Sequence, residues 1–338
     1  MGEARATIRD VARRAGVSEA TVSRALRGLR HVSPDTEASV RRAARELGFV
    51  ASRDAASLAT GRPRVVSIVT PSTVSWFYSA VLEGADVALR AEGWATGLVN
   101  LGGSVPRRRL TAAELRSGQA AAHVVIGFAL DEAEQAVLRA AASPVVTVGG
   151  RVEGVPGIGI PEATAATTAM EHLASLGHRR IGHIGADRDD DFNPAVTLAR
   201  SDAWSAALRR LGAEERPEWF GSGGLHIEAS RDAALRVLGG EDRPTAIFAA
   251  SDVSAFGVLL AAQQLGLRVP EDLSVAGIDD HPFSAAYGLT TVRQSPGEQG
   301  ARAVAVLLHR LGVRRYPVRE EPAPIELIVR TSTGPPRR

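Results

Sequence analysis

The chain has 338 residues, too many for one ordinary domain, and its 44% hydrophobic and 23% charged content is that of a globular protein. It contains no cysteine, which excludes disulfides, thiolate catalysis and Cys-ligated zinc. No run approaches the roughly 18 apolar residues of a membrane helix, and the first residues carry no signal-peptide core, so a cytoplasmic protein without a membrane partner is expected. The formal charge of +2 hides an asymmetry: residues 1–62 hold 12 Arg against 7 acids, and the remainder 28 Arg against 31 acids. A basic end on a mildly acidic body suggests an anionic polymer as partner for that end alone.

In chain order, the first 50 residues read as short helices with sharp boundaries. Thr7 and Asp10 have capping-box spacing, and Ile8, Val11, Ala12 and Ala15 recur at helical intervals up to Gly16. Ser18 is placed to cap a second helix. Ser33-Pro34 gives an N-cap and a Pro at the first position of a third, with Val40, Ala43, Ala44 and Leu47 on its apolar face. Residues 51–62 read as a junction with a short helix over 52–59. From Val65 onward, apolar runs at 65–69, 95–99, 123–128, 144–148, 180–185, 245–250 and 273–278 alternate with amphipathic stretches. This is the pattern of parallel sheets covered by helices on both faces, long enough for two similar lobes. A last strand is expected at 325–330.

Within Ile8–Arg27, the Gly16-Val17 turn between two helices fits a helix-turn-helix. Val22, Ala25 and Leu26 would face its core. The opposite face would carry Glu19, Ala20, Ser23, Arg24 and Arg27, residue types suited to base edges and phosphates. A generic three-helix unit would show the same periodicity. The strings TIRDVARRAGVSEATVSRALRG and HVSPDTEASVRRAARELGF go further, because they closely resemble the headpiece of the LacI/GalR family of bacterial transcription regulators. The resemblance implies that Glu19 and Ala20 choose the operator sequence and that Arg24 reads the groove. It places Thr7, Thr21, Ser23, His31 and Ser33 at phosphates or groove edges, and the capping Ser18 and the outward Arg27 are counted with them as DNA-contacting residues. It also implies a hinge helix at 51–62 that wedges Leu58, with Ala55, into the minor groove. Where the family has Pro-Asn before that helix, this chain has Ala51-Ser52.

The body resembles the same family's effector domain, built like periplasmic sugar-binding proteins. The expected fold is thus an all-α helix-turn-helix headpiece (1–50), the hinge (51–62) and a two-lobed α/β effector and dimerisation domain (63–338). Lobe 1 is assigned about 63–160 plus 290–320, and lobe 2 about 161–289 plus 321–332. By resemblance the effector pocket draws on Ser72, Trp76, Phe77, Arg200, Ser251 and Asp279. Ser72 and Trp76 depart from the family's usual Asp and Pro.

No catalytic residue, cofactor or metal is expected. There is no GxGxxG after a strand, no Walker A loop and no GxSxG elbow, which argues against an enzyme; the headpiece argues against a transport-type binding protein. His178 and His183 lack a third metal ligand. The acidic loop Asp187–Asp191 reads as solvated, with a polyol or cation as its alternative. The expected partners are a near-palindromic double-stranded operator, a small polar effector with a sugar as default, and a second copy of the chain, a tetramer remaining open. The expected function is a sequence-specific repressor under effector control.

Overall fold

The computed structural model describes residues 6–26, 32–49, 64–102, 108–116, 120–127, 129–186, 194–314 and 321–337. The contact pattern divides the chain into two compact units, Met1–Arg64 and Val65–Arg338. Among the described residues no helix is long and apolar enough to cross a membrane.

The first unit contains helices α1 (Ile8–Ala15), α2 (Glu19–Leu26) and α3 (Pro34–Glu46). Each start is fixed locally. Asp10 accepts from the Thr7 backbone amide at 2.9 Å, Ser18 Oγ from the Thr21 amide at 3.1 Å, and Ser33 Oγ from the Thr36 amide at 3.2 Å. These bonds satisfy amides that the helical ladder leaves without partners. Gly16 ends α1 in the left-handed region, at φ +69°, where a side chain would be strained. One fully buried valine from each helix, Val11, Val22 and Val40, forms the centre of the core, with Ala12, Ala25, Ala43 and Ala44 around it.

The second unit has two sheets. The first contains β1 (Val65–Thr70), β2 (Ala95–Asn100), β3 (Ala122–Ile126), β4 (Val145–Val148) and β5 (Gly157–Ile158) in the order β2-β1-β3-β4-β5, all parallel. Helices α4 (Trp76–Ala91), α5 (Ala112–Arg116) and α6 (Glu132–Arg139) connect its strands. The second contains β6 (Ile181–Gly185), β7 (Phe220–Ser222), β8 (Ala246–Ala249), β9 (Ser274–Asp279), β10 (Thr290–Arg293) and β11 (Glu326–Ile328) in the order β11-β10-β9-β8-β6-β7. Only β11 in that sheet runs antiparallel to its neighbour. Its helices are α7 (Glu162–Ser175), α8 (Pro194–Arg210), α9 (Ile227–Leu238) and α10 (Asp252–Gln264). Helix α11 (Pro296–Arg310) returns to the first lobe.

Strand alternation sends successive side chains to opposite faces. Val124 and Ile126 enter one core and Val125 the other. Phe248 and Ile247 divide in the same way in the second lobe. The inner strands of both sheets are therefore buried on both sides, as their near-continuous apolar sequences require, while the edge strands β2 and β11 remain partly exposed.

One expected boundary moves. Residues 290–293 pair with β9 and belong to the second lobe, so the crossover to lobe 1 falls at Gln294-Ser295 instead of before 290. Thr290-Thr291 is fully buried although it is not an apolar run. The other crossovers lie at 159–161 and near Ala323, whose amide bonds the Gly159 carbonyl at 2.8 Å. The short strands β5 and β7 were not expected either, and the final strand is confined to 326–328.

Helices α4 and α11 meet backbone to backbone. A Cβ added at Gly84 would lie 2.0 Å from the Gly297 carbonyl oxygen, and one at Gly300 would lie 2.2 Å from that of Val81. Gly84→Ala should therefore lower unfolding free energy by at least about 2 kcal/mol in urea titration, because neither backbone can yield.

His178 and His183 are spent in the second lobe's own hydrogen bonds. His178 Nδ1 pairs with Thr245 Oγ1 at 2.8 Å, and its Nε2 lies 2.8 Å from the Gly334 carbonyl. His183 donates from Nδ1 to the Phe248 carbonyl at 2.8 Å and is stacked between Phe248 and Trp204. Among the described residues no group of three or more potential ligands surrounds a metal position. Burial pulls the His183 imidazole down to about 4; the Phe248 bond opposes this and Arg200 adds to it. The unfolded chain then binds a proton between pH 6.5 and 4 that the folded chain refuses. Stability from this group is full above pH 6.5 and falls by about 3 kcal/mol toward pH 4. NMR titration should show its ring uncharged until about pH 4.

Candidate functional site

Two constellations stand out, one in each unit. In the first unit, Val22 and Ala25 pin α2 to the core, which turns Ser18, Glu19, Ala20 and Arg24 outward and leaves Thr21 and Ser23 half-buried. Arg9 of α1 donates from Nε to Glu19 at 3.0 Å, and Arg24 folds back to the Ala20 carbonyl at 3.3 Å. Both bonds are exposed to water and hold their side chains weakly. Thr7 and Ser33 sit at the exposed starts of α1 and α3. Arg27, His31, Ala55 and Leu58, and with them the hinge segment, lie outside the described residues, as does the acidic loop Asp187–Asp191.

In the second unit, the loops after β1, β8 and β9 bring most of the expected pocket residues to the carboxyl ends of the strands, where doubly wound sheets bind ligands. Ser72 is buried, and its hydroxyl accepts from the amides of Val74 and Ser75 at 3.2 and 3.3 Å, so it shapes the turn into α4. Phe77 packs onto Gly149 at the end of β4, where an added Cβ would come 3.0 Å from its ring. Trp76 of lobe 1 meets His281 of lobe 2, with ring centroids 5.0 Å apart. Ser251 caps α10 by accepting from the Ser254 amide at 3.1 Å. A cavity of about 150 Å³ lies at the ends of β3 and β4, bordered by Gly127, Thr147, Gly150 and Arg151 and by Ala195 of α8.

Arg200 differs from the sequence reading, which had its fork facing a ligand. It is buried, with Nε and Nη2 on Glu162 Oε2 at 2.8 and 2.6 Å and Nη1 on the Ala250 carbonyl at 2.5 Å. A guanidinium out of water requires such a carboxylate. Burial pulls its pKa down, but Glu162, Asp279 and Asp252 more than reverse this, and the net displacement is upward.

Asp279 ends β9 at φ +140°, followed by Asp280 at φ +56°, two consecutive residues in a region L side chains rarely adopt. The strain is held from both sides. Asp280 accepts from Arg293 at 2.8 Å and Arg330 at 2.6 Å, and Asp279 accepts from Gln294 Nε2 at 2.6 Å. Burial pushes the Asp279 carboxyl up to about 7; Arg200 opposes this and Asp252 adds to it.

Three residues that sequence reasoning left out, Glu162, His281 and Gln294, complete the site together with Asp252. Asp252 is fully buried and accepts from the His281 amide at 2.9 Å and from the Ser284 and Thr291 hydroxyls at 2.6 Å each. It thereby ties α10, the loop after β9 and β10 together. Burial lifts its pKa also, against the pull of those bonds. Gln294 follows a strand the apolar pattern did not reveal, and Glu162 reads as an ordinary first-turn acid.

The sequence model described as "Bacterial regulatory proteins, lacI family" matches residues 7–52, and that of a periplasmic binding protein-like domain matches residues 170–333. The HTH-type transcriptional regulator GntR of Pseudomonas aeruginosa is 30% identical over 328 residues, covering 92% of this chain and 91% of that protein. This chain belongs to the LacI family. The HTH-type transcriptional repressor CytR of Escherichia coli is 29% identical to this LacI-family chain, covering 98% of it and 97% of CytR. Among solved structures, the lac repressor dimer bound to operator and the anti-inducer ONPF superposes with a TM-score of 0.82 at 24% identity, covering 98% of this chain and all of the other, a likeness of fold. The transcriptional regulator CelR–cellobiose complex matches with a TM-score of 0.68 at 29% identity, over 97% of this chain and all of CelR. The LacI-family chain is accordingly a helix-turn-helix transcription regulator with a two-lobed, periplasmic-binding-protein-like body.

Asp252→Ala would leave one partly buried amide and two buried hydroxyls without their acceptor. It should lower unfolding free energy by roughly 3 kcal/mol or more in denaturant titration. A loss under about 1 kcal/mol would show that Asp252 does not clamp the Asp279 loop.

Proposed function

We propose that this regulator is a cytoplasmic, homodimeric repressor whose headpieces read a near-palindromic operator and whose cleft binds a sugar that controls that binding. The observation that carries the reading is the outward face of α2, where Glu19, Ala20 and Arg24 are exposed over a core fixed by Val11, Val22 and Val40. A short helix presenting such side chains from its first turns suits the major groove. Thr7, Ser18, Thr21, Ser23 and Ser33 then serve phosphates and groove edges; the family resemblance extends that role to Arg27 and His31 and gives Ala55 and Leu58 the minor-groove wedge of the hinge. The headpiece takes residues 1–50, the hinge 51–62 and the effector body the rest.

The sensing half of the proposal rests on the strained Asp279, on Trp76 and Phe77 near the lobe junction, and on Ser72, Arg200 and Ser251 shaping the same cleft. CelR, crystallised with cellobiose, supports a saccharide as ligand class. That the relatives are transcription regulators, with no acyl-transfer or phosphoryl-transfer constellation in the sequence, supports a non-enzymatic role.

Footprinting of the full chain on its own promoter region should reveal a two-fold-related protected sequence. Arg24→Ala should weaken that specific binding by roughly 1–3 kcal/mol while leaving non-specific binding nearly unchanged. Equal loss on both would remove Arg24 from base reading.

A further inference from the structure

We infer that Glu162 sets the charge specificity of the cleft, so that it admits a neutral or amine-bearing polyhydroxylated effector and rejects the corresponding acid. This rests on the proposed reading of the cleft as the effector site. Arg200 is the cation at its lobe 2 corner, and three of its five N–H groups are already spent on Glu162 and the Ala250 carbonyl. The Nε–Nη2 edge, which a ligand carboxylate would grip side-on, is the edge Glu162 holds. Glu162 is also the more exposed partner, at 18% against 4%, so of the two charges it is the carboxylate that solvent reaches more readily.

The surroundings reinforce that sign. Among the described residues, Asp279 and Asp252 also act on Arg200, while Asp280 is compensated by Arg293 and Arg330. Burial favours the neutral form of both Asp252 and Asp279. With both protonated the Arg200–Glu162 corner is neutral, and with either ionised it is negative; neither case leaves a positive excess. An acid would enter without compensation or would have to break a buried ion pair, which is costly. Hydroxyl and ammonium groups, by contrast, can donate to Glu162 and Asp279. Arg151, at the lobe 1 cavity, is exposed and screened by water.

The test uses thermal unfolding of the full chain at pH 7.5 with matched glucose, galactose and cellobiose series, each comprising the neutral sugar, its amino form and its acid. In whichever series raises the melting temperature, the acid should bind at least about tenfold more weakly than the neutral or amino sugar. Glu162→Gln should shrink that preference about tenfold by removing the blocking charge. An acid that binds wild type as well as its parent sugar, or a preference that Glu162→Gln leaves unchanged, overturns the inference while the sensor reading stands. Silence of all three series overturns the saccharide-sensing reading and this inference with it, and operator footprinting of the same preparation reports separately on the headpiece. Should Glu162→Gln fail to fold, the wild-type ratio alone decides.

Discussion

A guanidinium removed from water has to be met by carboxylate and carbonyl oxygens, and in this protein that requirement organises the second lobe. Arg200 on α8 takes Glu162 from the start of α7 and the Ala250 carbonyl from the end of β8, and it acts electrostatically on Asp279 at the end of β9. Four elements are thereby fixed at one corner, on the side where their strands end. Asp252 adds its own helix α10 and, through Thr291, strand β10 to the same corner. Such buried polar networks are weak evidence for stability, since an apolar core of equal volume can do as well. Their use is to define one geometry, and here the geometry includes two consecutive strained residues that a loosely held loop would release.

How much of this was legible in the sequence depends on the range of the interaction. Caps at Thr7, Ser18 and Ser33, the stop at Gly16 and most parallel strands follow from signals within a few residues, and they appear where expected within a residue or two. Strand β10 escaped because Thr290-Thr291 is buried by hydrogen bonding: Thr290 Oγ1 lies 3.0 Å from Thr333 Oγ1, and Thr291 Oγ1 bonds Asp252. Arg200 was recognisable as a residue type, but its partner is 38 residues away and looks like any acid favourable to a helix N-terminus. Pairings across such distances are set by topology, which single-residue patterns do not encode. The aromatic approach of Trp76 to His281 was illegible for the same reason.

The headpiece obeys a different economy. Its core consists of three valines and four alanines, with larger side chains such as Ile8, Leu26 and Phe49 only partly buried around them. Small side chains let short helices approach closely, yet so little buried area leaves such a unit marginal by itself. Local capping therefore carries an unusual share of the structure, and in the proposed operator complex the same capping residues stand at the phosphate backbone. Ser18 bonds the Thr21 amide and hydroxyl together. A ligand that binds only the folded headpiece adds directly to its stability.

The two lobes are joined by more than covalent crossovers. Gln299, fully buried on α11 in lobe 1, donates to Gln294 Oε1 at 2.9 Å, and Gln294 in the crossover donates to Asp279 of lobe 2 at 2.6 Å. The amide of Gln294 has one acceptor and one donor end, so fixing either partner fixes its direction. Whatever changes the demand of Asp279 for that donor, whether protonation or a ligand hydroxyl, is felt first at the crossover. Beyond it, α11 cannot deform independently, because it meets α4 through Gly84, Gly297 and Gly300 with no side chains between the backbones. A change at the crossover must move that helix pair as one body or leave it still. The same pair carries Trp76 at its leading end, facing His281. Two of the three crossovers are moreover bonded to each other, the Ala323 amide to the Gly159 carbonyl at 2.8 Å, so the segments joining the lobes are themselves held by hydrogen bonds as well as by the chain.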